Sequence, residues 1–130
     1  MQLERVLETV LYYAPGQEAD LKRFYGDLLG LHAVGRGGLT FRLGAGLLLL
    51  FDSEASSVQS KPPPHGAEGS IHTCFVADPG DYETWKRRLI DNDVAILDEI
   101  EWGNGVKSFY FHDPAQNLLE IAEGDLWPHA

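Results

Sequence analysis

The residues of this sequence best suited to chemistry fall at alternate positions in three short apolar stretches. In residues 70–77, His72 and Cys74 alternate with Ile71, Thr73 and Phe75; in 107–112, Ser108, Tyr110 and His112 alternate with Phe109 and Phe111; in 117–123, Glu120 sits between Leu119 and Ile121. A strand turns such alternation into two faces, because successive side chains point to opposite sides. One face is then apolar, and the other carries an imidazole, a carboxylate, a phenol and a hydroxyl. We place this second face toward a cavity. An imidazole and a carboxylate taken out of water need partners, either each other or a cation. Tyr110 and Ser108 share the face and can donate hydrogen bonds to a developing oxyanion, although Tyr110 also reads as core filling with a satisfied hydroxyl. Cys74 reads as a small apolar residue rather than a nucleophile, since no neighbour is specified to lower its pKa. His112, just before Asp113-Pro114, is expected to face solvent at a turn, and His65 and His129, in proline-flanked segments, are assigned no role.

The elements that must hold these groups occur twice, in the same order. Residues 6–14 are β-branched, aromatic and aliphatic and end at Pro15-Gly16, which predicts a strand and a turn. Residues 18–29 set Leu21, Phe24, Tyr25 and Leu28 at helical spacing, with acidic residues in the first turn and Gly30 as the C-cap. Three strand-like segments follow at 31–35, 39–43 and 46–52, separated by glycines. The stretch 53–69, with Pro62-Pro63-Pro64 and no apolar periodicity, reads as a linker rather than a core element. Then the pattern restarts: a strand at 70–77, a helix at 81–92, and strands at 95–102, 107–112 and 117–123. A shift of 64 residues lays Glu8 on His72, Val10 on Cys74 and Tyr25 on Leu89.

The chain is therefore expected to be α+β, with two tandem βαβββ modules at about 5–52 and 70–124 in one domain spanning 1–130. Each module makes a curved half-barrel sheet, covered on one face by its helix, and two copies enclose a cavity.

Composition narrows the function classes. At 130 residues and 44% hydrophobic content the chain can fill a core without disulfides. A formal charge of −10 works against nucleic acid and anionic membrane surfaces as partners. Lys86-Arg87-Arg88 reads as the exposed face of a helix whose Trp85 and Leu89 point inward. A single cysteine needs no oxidising compartment, the charged residues 1–8 are unlike a signal peptide, and the apolar run 47–51 is too short to cross a bilayer, so a cytoplasmic location is expected.

Arg23-Phe24-Tyr25 followed by Leu28-Leu29-Gly30-Leu31 resembles the signature ending the first helix in the vicinal oxygen chelate superfamily, which includes glyoxalases, bleomycin-resistance proteins and dioxygenases. Ser108-Phe109-Tyr110-Phe111-His112-Asp113-Pro114 with Asn117-Leu118-Leu119-Glu120 resembles its carboxy-terminal motif, and Ile71-His72-Thr73-Cys74-Phe75 its second-module strand. The resemblance implies metal ligands from the first strand of each module and the last strand of the second, which here are Glu8, His72 and Glu120. The first of these is usually histidine, or glutamine in some glyoxalases; this chain has glutamate. The carboxylate that some glyoxalases add from the last strand of module one falls on Leu49. Two carboxylates and an imidazole suit Mn, Fe, Co, Ni or Zn, and leave positions open for substrate oxygens.

Two function classes follow from that resemblance. One is a metal-dependent lyase, isomerase or transferase acting on a small substrate with vicinal oxygens, with Glu120, Tyr110 and Ser108 as its catalytic groups. The other is a metal-free module, similar to bleomycin-resistance proteins, that sequesters a small molecule; Trp102 and Trp127 are candidate walls of its pocket. Val10 and the Lys- and Arg-free stretch 121–130 argue against fosfomycin as substrate, Leu49 against a typical glyoxalase I, and Glu8 against a two-histidine iron dioxygenase. The resemblance also implies a homodimer in which Glu8 of one chain meets His72 and Glu120 of the other.

Overall fold

The computed structural model describes residues 1–127, in two compact units, Met1–Ile71 and His72–Ala130. The first contains β1 (Glu8–Tyr13), α1 (Glu18–Lys22) running into a π-helical turn (Arg23–Leu28), β2 (His32–Ala33), β3 (Thr40–Leu43), β4 (Gly46–Asp52) and a one-turn helix α2 (Ser53–Ser56). The second contains β5 (His72–Val76), α3 (Tyr82–Asp91), β6 (Asp98–Glu101), β7 (Lys107–His112) and β8 (Leu118–Ala122). Their sheets are open, four-stranded and ordered alike, β1-β4-β3-β2 and β5-β8-β7-β6. In each, the first and last strands pair in parallel and the other pairs are antiparallel. The expected βαβββ repeat is thus present in both halves.

Strand alternation sorts each sheet into a helix-covered face and an opposite face. In unit one Leu11, Phe41 and Leu48 are fully buried with Leu21 and Tyr25 of the helix, the Tyr25 and Phe41 rings 5.8 Å apart. In unit two Phe109, Phe111 and Leu119 are buried with Tyr82 and Leu89 of α3, and Tyr82 packs 5.3 Å from Phe109. Burying each such side chain contributes about 1.5–3 kcal/mol, and Phe109→Ala would cost about 3–5 kcal/mol through the cavity it leaves. Glu99 on β6 ties α3 to the sheet, accepting from the Tyr82 hydroxyl at 2.7 Å and pairing with Lys86 at 2.5 Å.

The structure departs from the sequence reading in three places. The expected helix 18–29 stays helical, but Leu29 N–H donates to Phe24 O, five residues back. The wider π turn rotates the last residues, so Leu29 is buried in place of the expected Leu28. Gly30 then takes φ +73, the left-handed conformation that suits glycine at a helix end. The strands expected at 31–35 and 95–102 shrink to His32–Ala33 and Asp98–Glu101. The expected linker begins as helix α2, N-capped by the Asp52 side chain, and buries Ser56; an N-cap carboxylate satisfies amides that apolar periodicity does not report.

Candidate metal centre

On the face of the unit two sheet opposite Phe109, Phe111 and Leu119 the register sets out three transverse rows. The first runs His72, Leu118, His112; the second Cys74, Glu120, Tyr110, Asp98; the third Val76, Ala122, Ser108, Ile100. Strand spacing separates consecutive rows by about 7 Å. The expected cavity-facing groups His72, Glu120, Tyr110 and Ser108 therefore share one face. His112 shares it as well, as the alternation of residues 107–112 implied; it joins the His72 row and is half-buried where solvent was expected around it. Asp98 was also missed, because its strand was expected to start earlier and its register across the sheet depends on a turn.

His72 and Glu120 make contact. His72 Nδ1 lies 2.9 Å from the Leu118 carbonyl, which can only accept, so Nδ1 carries the proton. Nε2 is thereby aimed at Glu120 Oε1, 3.1 Å away. A carboxylate is acceptor-only, so the gap is satisfied either by a second imidazole proton or by a cation that both atoms ligate. Glu120 is only 4% exposed, and its other oxygen, Oε2, is buried without a hydrogen-bond partner. Such an orphaned buried oxygen is costly unless something positive meets it. An imidazole locked by a backbone carbonyl on its far nitrogen is also the usual arrangement of a metal-binding histidine. These two donors fit a divalent ion.

The neighbouring groups are weak acids held protonated. Burial, and then the Glu120 charge, pushes the Cys74 thiol up to about 12, in keeping with its reading as no nucleophile. Burial raises the Tyr110 hydroxyl too; a hydrogen bond with Ser108 lowers it, and the Glu120 charge raises it again. The Tyr110 ring lies 6.0 Å from that of His72. Ser108 is fully buried and accepts from the Trp102 indole N–H at 2.9 Å.

In unit one, Glu8 opens β1 as an exposed residue paired with Leu47. Among the described residues no group of three or more His, Cys, Asp or Glu side chains is arranged to hold a metal ion. His65 is more ordered in its role than its proline-flanked setting suggested: Nδ1 is 2.7 Å from the Tyr12 hydroxyl, and the ring sits edge-on to Phe51 at 4.8 Å. His129 lies outside the described residues.

No family model and no curated protein matches this sequence. Solved structures do. A lactoylglutathione lyase from Agrobacterium tumefaciens is 34% identical, with 99% of this chain and 100% of that one covered and a TM-score of 0.87. The chain belongs to the vicinal oxygen chelate superfamily. An integron cassette protein from V. Cholerae is 26% identical over 94% of this chain and 96% of its own, at a TM-score of 0.72. A glyoxalase/bleomycin resistance protein/dioxygenase from Nocardioides shares the fold at 17% identity and a TM-score of 0.73, covering 100% and 92% of the two chains.

The internal repeat of a vicinal oxygen chelate chain is visible here in register. β1 pairs Glu8 with Leu47 and Val10 with Leu49, while β5 pairs His72 with Leu118 and Cys74 with Glu120. Glu8 therefore holds in unit one the place His72 holds in unit two, and Leu49 holds the place of Glu120. No helix among the described residues is long and apolar enough to cross a membrane.

Proposed function

We propose that this chain is a divalent-metal-dependent enzyme acting on a small substrate that chelates the ion through vicinal oxygens, by lyase, isomerase or transferase chemistry. The reading rests on one observation: the His72 Nε2, oriented by the Leu118 carbonyl, faces a buried carboxylate with an orphaned second oxygen. His72 and Glu120 are two of the proposed ligands and Glu8 the third. A glutamate there keeps an oxygen donor in the position that the repeat equates with His72. Leu49, which has no donor atom, supports a set without a fourth protein ligand. A bound Mn, Fe, Co, Ni or Zn ion supplies Lewis acidity to the substrate's paired oxygens.

The chain's own groups would do the rest. Tyr110, kept protonated by burial and by Glu120, donates a hydrogen bond to oxyanion character developing on the substrate. Ser108, itself held by Trp102, shares that face as a second hydroxyl. Glu120 is the proposed ligand and proton acceptor. The likeness to a lactoylglutathione lyase puts lyase chemistry first among the three reaction classes. A homodimer, with Glu8 contributed across a two-fold axis, is part of this proposal; dilution to monomer would then abolish ion binding.

The test is the metal content of the purified protein after dialysis against a panel of divalent ions, beside Glu120→Ala. Roughly one ion per chain in the parent and a large loss in the variant support an enzyme. No bound ion in either leaves a small-molecule sequestering module as the better account.

A further inference from the structure

We infer that unit one holds a second binding site, sharing no residue with the candidate metal centre: a cleft between α2 and the strap 64–68 that takes a small organic cation with an ammonium or guanidinium head. The cleft has a volume of about 390 Å³, within the range of small-ligand pockets. Ser53 and Ser57, at the two ends of α2, line one side and the strap lines the other. No lysine or arginine is among the lining residues, and Glu68 gives them their one formal charge at neutral pH. Glu68 is exposed and, among the described residues, has no hydrogen-bond or ion-pair partner.

The walls are held together before any ligand arrives. Ser53 Oγ donates to Ala67 O at 3.0 Å and accepts from Ala67 N–H at 3.2 Å. Gly66 comes so near α2 that a Cβ there would meet Ser53 Oγ at 3.0 Å and Ser57 Cβ at 3.1 Å. Tyr12 and Phe51 fix the His65 ring, with Nε2 left as its remaining polar atom. Binding therefore demands little ordering of the protein. The same bonds decide the ligand's chemistry. Ser53 and Ser57 commit their hydroxyl protons to the Ala67 and Glu54 carbonyls, and an ionised carboxylate has no proton to give. The serine and glutamate side chains are left with acceptor oxygens. A ligand rich in donors and opposite in charge to Glu68 satisfies them, and an ammonium or a guanidinium is both. The formal charge of −10 draws such a cation in and repels an anion.

The probe is agmatine, which carries both heads, titrated in EDTA into isotope-labelled protein and followed by NMR, with 1,4-butanediol as an uncharged control. EDTA makes the outcome independent of the metal proposal. Agmatine is expected to shift the amide resonances of Ser53, Ser57 and 65–68 saturably, with a Kd on the order of 1 mM, and the diol to leave them still. Glu68→Gln should weaken binding about tenfold, through the loss of a charge-assisted hydrogen bond. Glu54→Gln removes the same charge from α2 outside the lining residues and should leave Kd within about twofold. No saturable shift at these residues, shifts that the diol reproduces, or equal losses in the two variants overturn the site. Equal losses would mark a diffuse attraction to an acidic chain rather than recognition in the cleft.

Discussion

Tyr12 and His65, 53 residues apart, are joined by a 2.7 Å hydrogen bond between the hydroxyl and Nδ1. The bond fastens the proline-rich stretch onto β1, and the edge-on contact of His65 with Phe51 fastens it onto β4. Backbone bonds reinforce it: His65 N–H reaches Ser56 O, and Ser53 Oγ links to Ala67 on both its N–H and C=O. Breaking the side-chain bond should free the strap without unfolding the sheet. We predict that His65→Ala lowers stability by about 1 kcal/mol, the ordinary net worth of one hydrogen bond plus some lost packing, and speeds amide exchange at 65–67. Unchanged exchange there would mean the ring does not hold the strap.

The pairing of strong and weak signals in the sequence explains which features were readable. Strands β4 and β7 match their expected limits because Leu47 to Phe51 and Ser108 to His112 carry β-forming side chains up to turn residues. The shared face of His72, Glu120 and Tyr110 was readable because a period of two leaves only one alternative. His65 was not, since Pro62-Pro63-Pro64 announces an irregular path but not where that path lands. Nor was the link from Trp102 to Ser108, which depends on how tightly the turn through Gly103 and Gly105 closes. The π turn left no mark in the spacing of Leu21, Phe24, Tyr25 and Leu28.

Metal removal should separate parent from variant by stability as well as by content. An ion that binds only the folded chain stabilises it by mass action, by about 2.7 kcal/mol at a hundredfold excess over Kd. Thermal unfolding of the parent is predicted to shift upward with Mn²⁺ and back with EDTA, whereas Glu120→Gln should be insensitive to both. In EDTA the glutamine variant should match the parent or exceed it, since it removes a buried charge. A parent that ignores Mn²⁺ would count against the proposed ligands.

The α3 clamp predicts the pH limits of unit two. Hydrogen bonds from Lys86 and Tyr82 hold the Glu99 carboxyl below its ordinary value. Its contribution is therefore full above the unfolded carboxylate value, about 4.3, and is lost as pH falls through the lower folded value. Tyr82 is raised by burial and by Glu99. Burial lowers Lys86, but its hydrogen bonds to Glu99 and Glu83 outweigh that and raise it. Both therefore stabilise fully below their unfolded values, near 10, and lose this as pH rises through the folded ones. Denaturation midpoints should be flat between about pH 5 and 9 as far as this cluster is concerned. Glu99→Gln should flatten the acid limb; equal acid slopes in the two proteins would rule the clamp out.

The turn before β8 sets the position of the proposed centre. Asn117 is 1% exposed and donates through Nδ2 to Asp113 Oδ2 at 2.8 Å, while Asp113 Oδ1 accepts from Asn117 N–H at 3.0 Å and Ala115 N–H at 2.8 Å. One residue further on is the Leu118 carbonyl that orients His72, and three further on is Glu120. Asn117→Ala removes the Nδ2 donor to a buried carboxylate, so it should cost about 1–3 kcal/mol and shift the start of β8. Ion affinity should fall with it, although no proposed ligand is altered. Asn117→Asp, which sets two carboxylates against each other, should cost more. If Asn117→Ala weakened the fold yet left ion affinity untouched, the alignment of His72 by Leu118 would not depend on this turn.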